Sequence, residues 1–396
     1  MNLLFYLLVF LLVLIVSSTT NKLLPFLPMP LIQILLGIGI GLCLPNNQYH
    51  LDTELFLALV IGPLLFREAQ EADITSILKH WRIVLYLIFP VIFISALSMG
   101  GVAHVLWASL PLATCVAVGA ALGPTDLVAF ASLSQRFSFP KRVSNILKGE
   151  GLLNDASGLV AFRMALIAWT TGTFSLTQAG TSLAISIVGG FAVGLITALI
   201  NRFLHTFLLS VRATDIASEL LLELSLPLLT FFIAEEIHVS GIIAVVVAGI
   251  LKASRFKKIN LLEAQVDTVT ETVWQTVTFM LNGSVFVILG MELEMIAEPI
   301  LKSAFYNKVL LLLSVFLLTF LLFAIRFVMI YGFYAFRIKK LHKSLDKYVK
   351  DMLLLTFSGV KGTVSIATIL LIPSNLEQEY PLLLFLVAGV TLVSFL

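Results

Sequence analysis

The sequence predicts an all-α polytopic membrane protein of about 13 transmembrane helices, and three observations carry that expectation. First, 59% of the 396 residues are hydrophobic and only 12% charged, with a mean hydropathy of +1.04. Soluble domains carry about 25% charge. Second, apolar runs recur along the whole chain, many near the roughly 20 residues that a helix needs to cross a bilayer. Open strands would leave backbone groups unpaired in lipid, so helix is the spanning form. Third, Lys and Arg collect in alternate loops, as the cytoplasmic loops of membrane proteins do.

Taken in order, segment one (3–18) lacks a basic stretch ahead of its apolar run, so a retained helix is expected rather than a cleaved signal peptide. Lys22 follows it, and segment two (24–44) ends near Cys43. Segment three (53–66) is followed by Arg67, Lys79 and Arg82, and segment four (81–100) by no basic residue. Segment five (110–133) contains Cys115 and is followed by Arg136, Lys141, Arg142 and Lys148. Six (144–170) leads to seven (181–208), which Arg202 and Arg212 close. Eight (217–235) and nine (239–252) could be divided differently; Lys252, Arg255, Lys257 and Lys258 follow them. Ten (272–291) precedes a loop with Lys302 and Lys308, an exception among the even loops. Eleven (305–336) runs into Arg337, Lys339, Lys340, Lys343, Lys347 and Lys350, and twelve (350–372) and thirteen (380–396) complete the series. The alternation places the N-terminus outside and the C-terminus in the cytoplasm, with an odd number of spans.

Two segments are interrupted. Five contains GAALGPTDLVAF and twelve contains FSGVKGTVS. If 1–6 and 8–13 are six-helix repeats joined by seven, these breaks occupy matching positions, and paired broken helices point to a secondary-transporter site. Both inverted and parallel repeats fit the residues; we take two inverted repeats as the expectation. Close packing is the structural alternative for the glycines.

Charge inside lipid is costly and marks functional candidates. Asp155 lies roughly 15 Å along segment six from its cytoplasmic start, near the midplane. It needs a proton, a cation or a basic partner. Asn154 lies about 40° from Glu150 around the helix, and Asp155 about 140° from it, so the two carboxylates face different surroundings. Arg326, in an apolar run of segment eleven, is the expected structural partner of Glu150, because guanidinium forks onto carboxylate. Asp126 and Lys361, in the two breaks, are expected to compensate half-helix ends. The backbone freed at Gly123–Thr125 offers carbonyl oxygens suited to a hard cation. Glu68 reads as a solvated helix end or a funnel residue, Glu223 as a pathway or local hydrogen-bonding residue, and Arg163 as snorkelling to the outer interface. Glu235 and Glu236 read as wet. The two cysteines suggest no disulfide or zinc framework. The six histidines form no cluster, and a net charge of +2 offers no case for nucleic acid. No enzyme, metal centre or cofactor is expected.

Together GPTDLVAF, ILKGEGLLNDASGLVAFRMAL, Arg326 and FSGVKGTVSIA make the sequence resemble the bacterial NhaP-type sodium/proton antiporters of the cation:proton antiporter superfamily, over nearly the whole chain. The resemblance implies a homodimer. It also implies dimer-domain helices at 1–80 and 217–293, a linking helix at 181–208, and a core at 81–170 and 305–396 with crossed, unwound helices five and twelve. It makes Asp155 the carboxylate for Na⁺ or H⁺, with Asn154, Thr125 and Asp126 shaping the site and Glu150–Arg326 as a buried ion pair. The Asn-Asp pair with that arginine implies electroneutral one-for-one exchange. Four positions depart from the family pattern: Leu127 stands for a proline, Gly151 for a serine, Lys361 for a common arginine, and Glu68 is one place late. Expected cargo is Na⁺ and H⁺ in a bacterial inner membrane, serving pH homeostasis. Other readings are K⁺/H⁺ or Li⁺-tolerant exchange, a channel or anion carrier using Lys361 and Arg326, a sensor on the same fold, or a hydrolase pairing Asp126 with Asp155.

Overall fold

A computed structural model of the protein describes residues 2–24, 27, 29–43, 53–126, 130, 139–172, 176–211, 215–253, 261–302, 307–341, 346–369, 372 and 380–395. The regular structure among them is helical, and each of the 13 apolar segments contains helix, with segments five and twelve helical only in part. Among the described residues, six helices are long and apolar enough to cross a membrane. The chain is an all-α polytopic membrane protein.

In chain order the helices are α1 (Asn2–Leu23), α2 (Met29–Cys43), α3 (53–71), α4 (Ile74–Lys79), α5 (Trp81–Leu106) and α6 (Leu112–Ala121). Then come α7 (Lys141–Thr171), α8 (Leu176–Ser210), α9 (Ile216–Glu236), α10 (Gly241–Ala253), α11 (Leu261–Lys302) and α12 (Lys308–Leu341). The last are α13 (Asp346–Phe357), α14 (Thr363–Ile369) and α15 (Tyr380–Phe395).

Local chemistry explains several of these bounds. Pro90 cannot donate to the α5 ladder, and the helix passes it with a wider π-turn at Leu87–Val91. α9 begins at Asp215, whose carboxylate accepts from the Ser218 N–H at 2.8 Å, a side-chain cap on an otherwise orphaned donor. Segments eight and nine separate at 237–240, where His238 takes φ +57°. α11 extends well beyond the apolar stretch 272–291 at both ends.

Packing divides the chain into two compact units. The first comprises Met1–His50, Thr75–Phe174 and Gly283–Leu396. In it α5 packs on α6, α6 on α7, and α12 on α5, α13 and α15. Its core includes Met99, Val118, Phe162, Leu318 and Leu386, all buried. The second unit comprises Leu51–Ile74 and Ser175–Asn282, with α10 packed on α3, α8 and α9. Lipid is as apolar as leucine, so such units cohere through close packing and polar links between helices.

Candidate functional site

The first unit brings the two helix breaks together. α6 ends at Ala121 and α13 at Phe357, and the irregular stretches 122–126 and 358–362 meet: the Asp126 N–H donates to the Val360 carbonyl at 2.9 Å. Broken helices at membrane depth need partners for their freed backbone groups. Lys361 supplies one, its Nζ donating to the Gly123 carbonyl at 2.6 Å just past the end of α6. A cation there opposes the partial negative charge of a helix C-terminus. The Lys361 N–H donates in turn to Ser394 Oγ of α15 at 3.0 Å. Asp126 is half-buried, and a Cβ on Gly362 would overlap its carboxylate. That close approach puts a negative charge immediately before the first residue of α14.

α7 presents its polar residues to this crossing. Asn154 is fully buried; its Nδ2 donates to the Thr125 carbonyl at 3.0 Å and to Thr125 Oγ1 at 2.7 Å. Its Oδ1 is buried with no hydrogen-bond partner among the described residues. An unsatisfied buried acceptor costs about 1–3 kcal/mol, so a ligand at that oxygen would recover stability. Asp155 is buried beside it at 6% exposure, with Asp126 and Lys361 as ionisable neighbours. A carboxylate, an amide oxygen and a backbone carbonyl are all hard oxygen ligands, the kind that alkali and alkaline-earth cations prefer.

Glu150 turns to a different neighbour. Arg326 Nη1 and Nη2 donate to its two carboxylate oxygens at 2.6 and 2.7 Å, a bidentate pair buried on both sides. The third guanidinium donor, Nε, reaches the Leu355 carbonyl in the last turn of α13 at 2.9 Å. Gly359 makes room for this, since a Cβ there would lie 2.6 Å from Nε. Thr125 Oγ1 donates to Glu150 Oε1 at 3.3 Å, which links the pair to Asn154. Arg326, Glu150, Thr125 and Asn154 therefore form one continuous hydrogen-bonded chain across α12, α7 and the α6 break. Leu355, Gly359 and Ser394 belong to this constellation through a backbone carbonyl, an absent side chain and a single hydroxyl. None of these stands out as charge in an apolar run.

Gly151 is buried on α7. Leu127 lies outside the described residues. Glu68 is half-buried on α3 in the second unit, and Arg163 is exposed on α7. Glu223 is engaged locally, accepting from Gln70 Nε2 and pairing with Lys252 Nζ at 2.8 Å. Lys252, half-buried in the last turn of α10, is thus an ion-pair partner as well as the first of the basic residues at that end. Glu235 Oε1 accepts from the Gly241 N–H at 3.0 Å, while Glu236 is exposed. No group of three or more His, Cys, Asp or Glu residues is placed to hold a metal among the described residues.

Comparison with known proteins gives this geometry a context. The family model described as sodium/hydrogen exchanger, transmembrane, matches residues 7–396. Proteins named sodium, potassium, lithium and rubidium/H⁺ antiporter are 34% identical in Bacillus pumilus (387 residues, 96% of this chain) and 34% identical in Bacillus subtilis (400 residues, 99%). The alignments span 58% and 60% of those relatives' own length. An uncharacterized Na⁺/H⁺ exchanger of Escherichia coli is 31% identical over 412 residues, covering all of this chain and 74% of that protein. The solved structure of the sodium proton antiporter MjNhaP1 from Methanocaldococcus jannaschii superposes with a TM-score of 0.72 at 18% identity, covering 100% of this chain and 96% of that one. Hydrogen-bonded helix breaks carrying Asp126 and Lys361, a buried Asn154–Asp155 pair, and a family match over nearly its whole length make this chain a member of the sodium/hydrogen exchanger family.

Proposed function

We propose that the protein exchanges a monovalent cation for H⁺ across the membrane, one for one, with both ligands competing for Asp155. The observation that carries this reading is the buried, unpartnered Oδ1 of Asn154 beside Asp155 at the crossing of two broken helices. Asn154, Thr125 and Asp126 shape the cation's surroundings, and Glu150 with Arg326 holds the chain of hydrogen bonds that orients them. Lys361 compensates the end of α6.

The physics of a single carboxylate makes such a device an exchanger. A bare Asp155 in a low-dielectric interior is expensive to move through the bilayer. A bound cation or a bound proton each cancels the same single charge, so either complex moves and the empty site does not. Both loaded forms carry equal charge, and the cycle moves no net current. The residues at 81–170 and 305–396 form the carrying core, and 1–80 with 217–293 the dimer domain of a homodimer. The family resemblance supports that division and the dimer. The basic loops support an N-terminus outside and a C-terminus in the cytoplasm. The bacterial relatives support the cytoplasmic membrane. Na⁺ is the first cargo, and the printed names of the Bacillus relatives support a range that takes in Li⁺, K⁺ and Rb⁺.

The test is transport by the purified chain in sealed proteoliposomes carrying an internal pH dye. An outward-directed pulse of each alkali cation should move protons the opposite way, at a rate indifferent to an imposed membrane potential. Conductive current without coupled proton movement would overturn exchange in favour of a channel. A proton flux that follows the imposed potential would overturn one-for-one stoichiometry.

A further inference from the structure

The two helix breaks share a fastening that begins outside both of them, on α15. Thr391 and Ser394 lie three residues apart in that helix and so share one face. Both are buried, at 0% and 7% exposure, yet their hydroxyls differ in what they reach. Ser394 Oγ donates to the Thr391 carbonyl at 2.7 Å and accepts from the Lys361 N–H at 3.0 Å. The Thr391 hydroxyl has no hydrogen-bond partner among the described residues. A buried hydroxyl on this face is therefore not by itself a link to the break.

The Ser394 proton is committed to its own helix, which leaves a lone pair for the break. Backbone N–H groups freed at membrane depth need such a partner. Lys361 is thereby held at two points, its N–H on α15 and its Nζ on the Gly123 carbonyl at 2.6 Å. A lysine stem released at one end regains rotamer freedom, and the far end is then held less firmly. Gly123 lies two residues before Thr125, whose carbonyl and hydroxyl both accept from Asn154 Nδ2. The line from Ser394 thus runs through Lys361 and the α6 break to the amide that keeps its Oδ1 free of protein partners.

We propose that Ser394 is a positioning residue for cation binding. It touches no cation itself. It fixes the Lys361 backbone and, through Lys361 Nζ, the carbonyls at 123–125 and the Asn154 side chain. This rests on the reading of Asn154 and Asp155 as the cation site, and adds to it a residue on α15 that tunes the affinity.

Two assays on the full chain keep the two readings apart. Unfolding temperature in detergent, titrated with NaCl against choline chloride at constant ionic strength, gives sodium half-saturation without transport. Sodium-driven proton flux in proteoliposomes gives KM and the maximal rate. Ser394→Ala leaves the Lys361 N–H unpartnered and should raise half-saturation and KM about tenfold, with the maximal rate within about twofold of wild type. Ser394→Thr, which keeps the hydroxyl, should hold both values near wild type. Thr391→Val removes an unbonded hydroxyl from the same face and should change neither.

A Ser394→Ala chain that unfolds earlier by the same margin at every sodium concentration, with half-saturation unmoved, has lost a structural hydroxyl only and overturns the proposal. So does a Thr391→Val chain that matches Ser394→Ala, since packing on α15 is then the cause. Should Ser394→Ala fail to fold, Ser394→Cys, a weak acceptor of similar size, takes its place in the same comparison. A wild type that binds Na⁺ without exchanging it overturns the exchange reading and leaves Ser394 to the titration. A wild type that responds to Na⁺ in neither assay overturns both.

Discussion

Glu150 and Arg326 show how one contact constrains the rest. Two opposite charges buried together are tolerable; one alone is not. Removing a single partner of a buried pair costs about 3–5 kcal/mol, whereas replacing both with apolar groups of similar volume is often neutral. Glu150→Gln or Arg326→Gln should therefore lower the unfolding temperature sharply in lipid-matched detergent, and Glu150→Leu/Arg326→Met should recover most of the loss. Asn154 poses a different test. Its Nδ2 holds Thr125 while its Oδ1 waits without a partner. Asn154→Ala removes a buried ligand worth about 1–3 kcal/mol, which should raise the cation concentration for half-maximal exchange by roughly 5- to 150-fold, and it should also lower the unfolding temperature because the Thr125 carbonyl loses its donor.

At the scale of elements, the caps and breaks set what the helices can do. Asp215 caps α9, and hydrogen bonds from the Ser218 hydroxyl and then the Ser218 N–H hold its carboxyl below the usual carboxylate range. A group depressed on folding stabilises above its unfolded value, about 3.9, and that support is lost as pH falls through the folded value. Amide protection at Ser218 should therefore collapse on acidification below about pH 4. Asp215→Asn, which caps without titrating, should keep its protection there. Most of the elements were legible from apolar runs. The ends of α11 were not, because polar turns such as LLEAQVDTVTE fall outside a hydropathy run, yet helix continues into water at no penalty. The breaks were legible too, since Gly123-Pro124 and Gly359–Gly362 punctuate otherwise continuous runs. What brings them together is a backbone bond from Asp126 to Val360 and the room left by Gly359 for Arg326. Contacts of that kind depend on how helices cross and leave no mark on composition. Charges in apolar runs, by contrast, announce themselves, which is why Glu150, Asp155, Arg326 and Lys361 could be singled out and Leu355 and Ser394 could not.

For the whole molecule, exchange depends on one carboxylate serving two ligands in turn. Competition has a plain signature: where the proton dominates, each unit of acidification raises the apparent cation requirement about tenfold. The most direct measurement is cation-driven proton flux in proteoliposomes for the wild-type chain and Asp155→Asn, side by side and at equal incorporation. The amide is nearly the same size and binds neither proton nor cation as a carboxylate does. Exchange is expected in the wild type and none in Asp155→Asn, with Asn154→Ala between them. Exchange that persists in Asp155→Asn would contradict it.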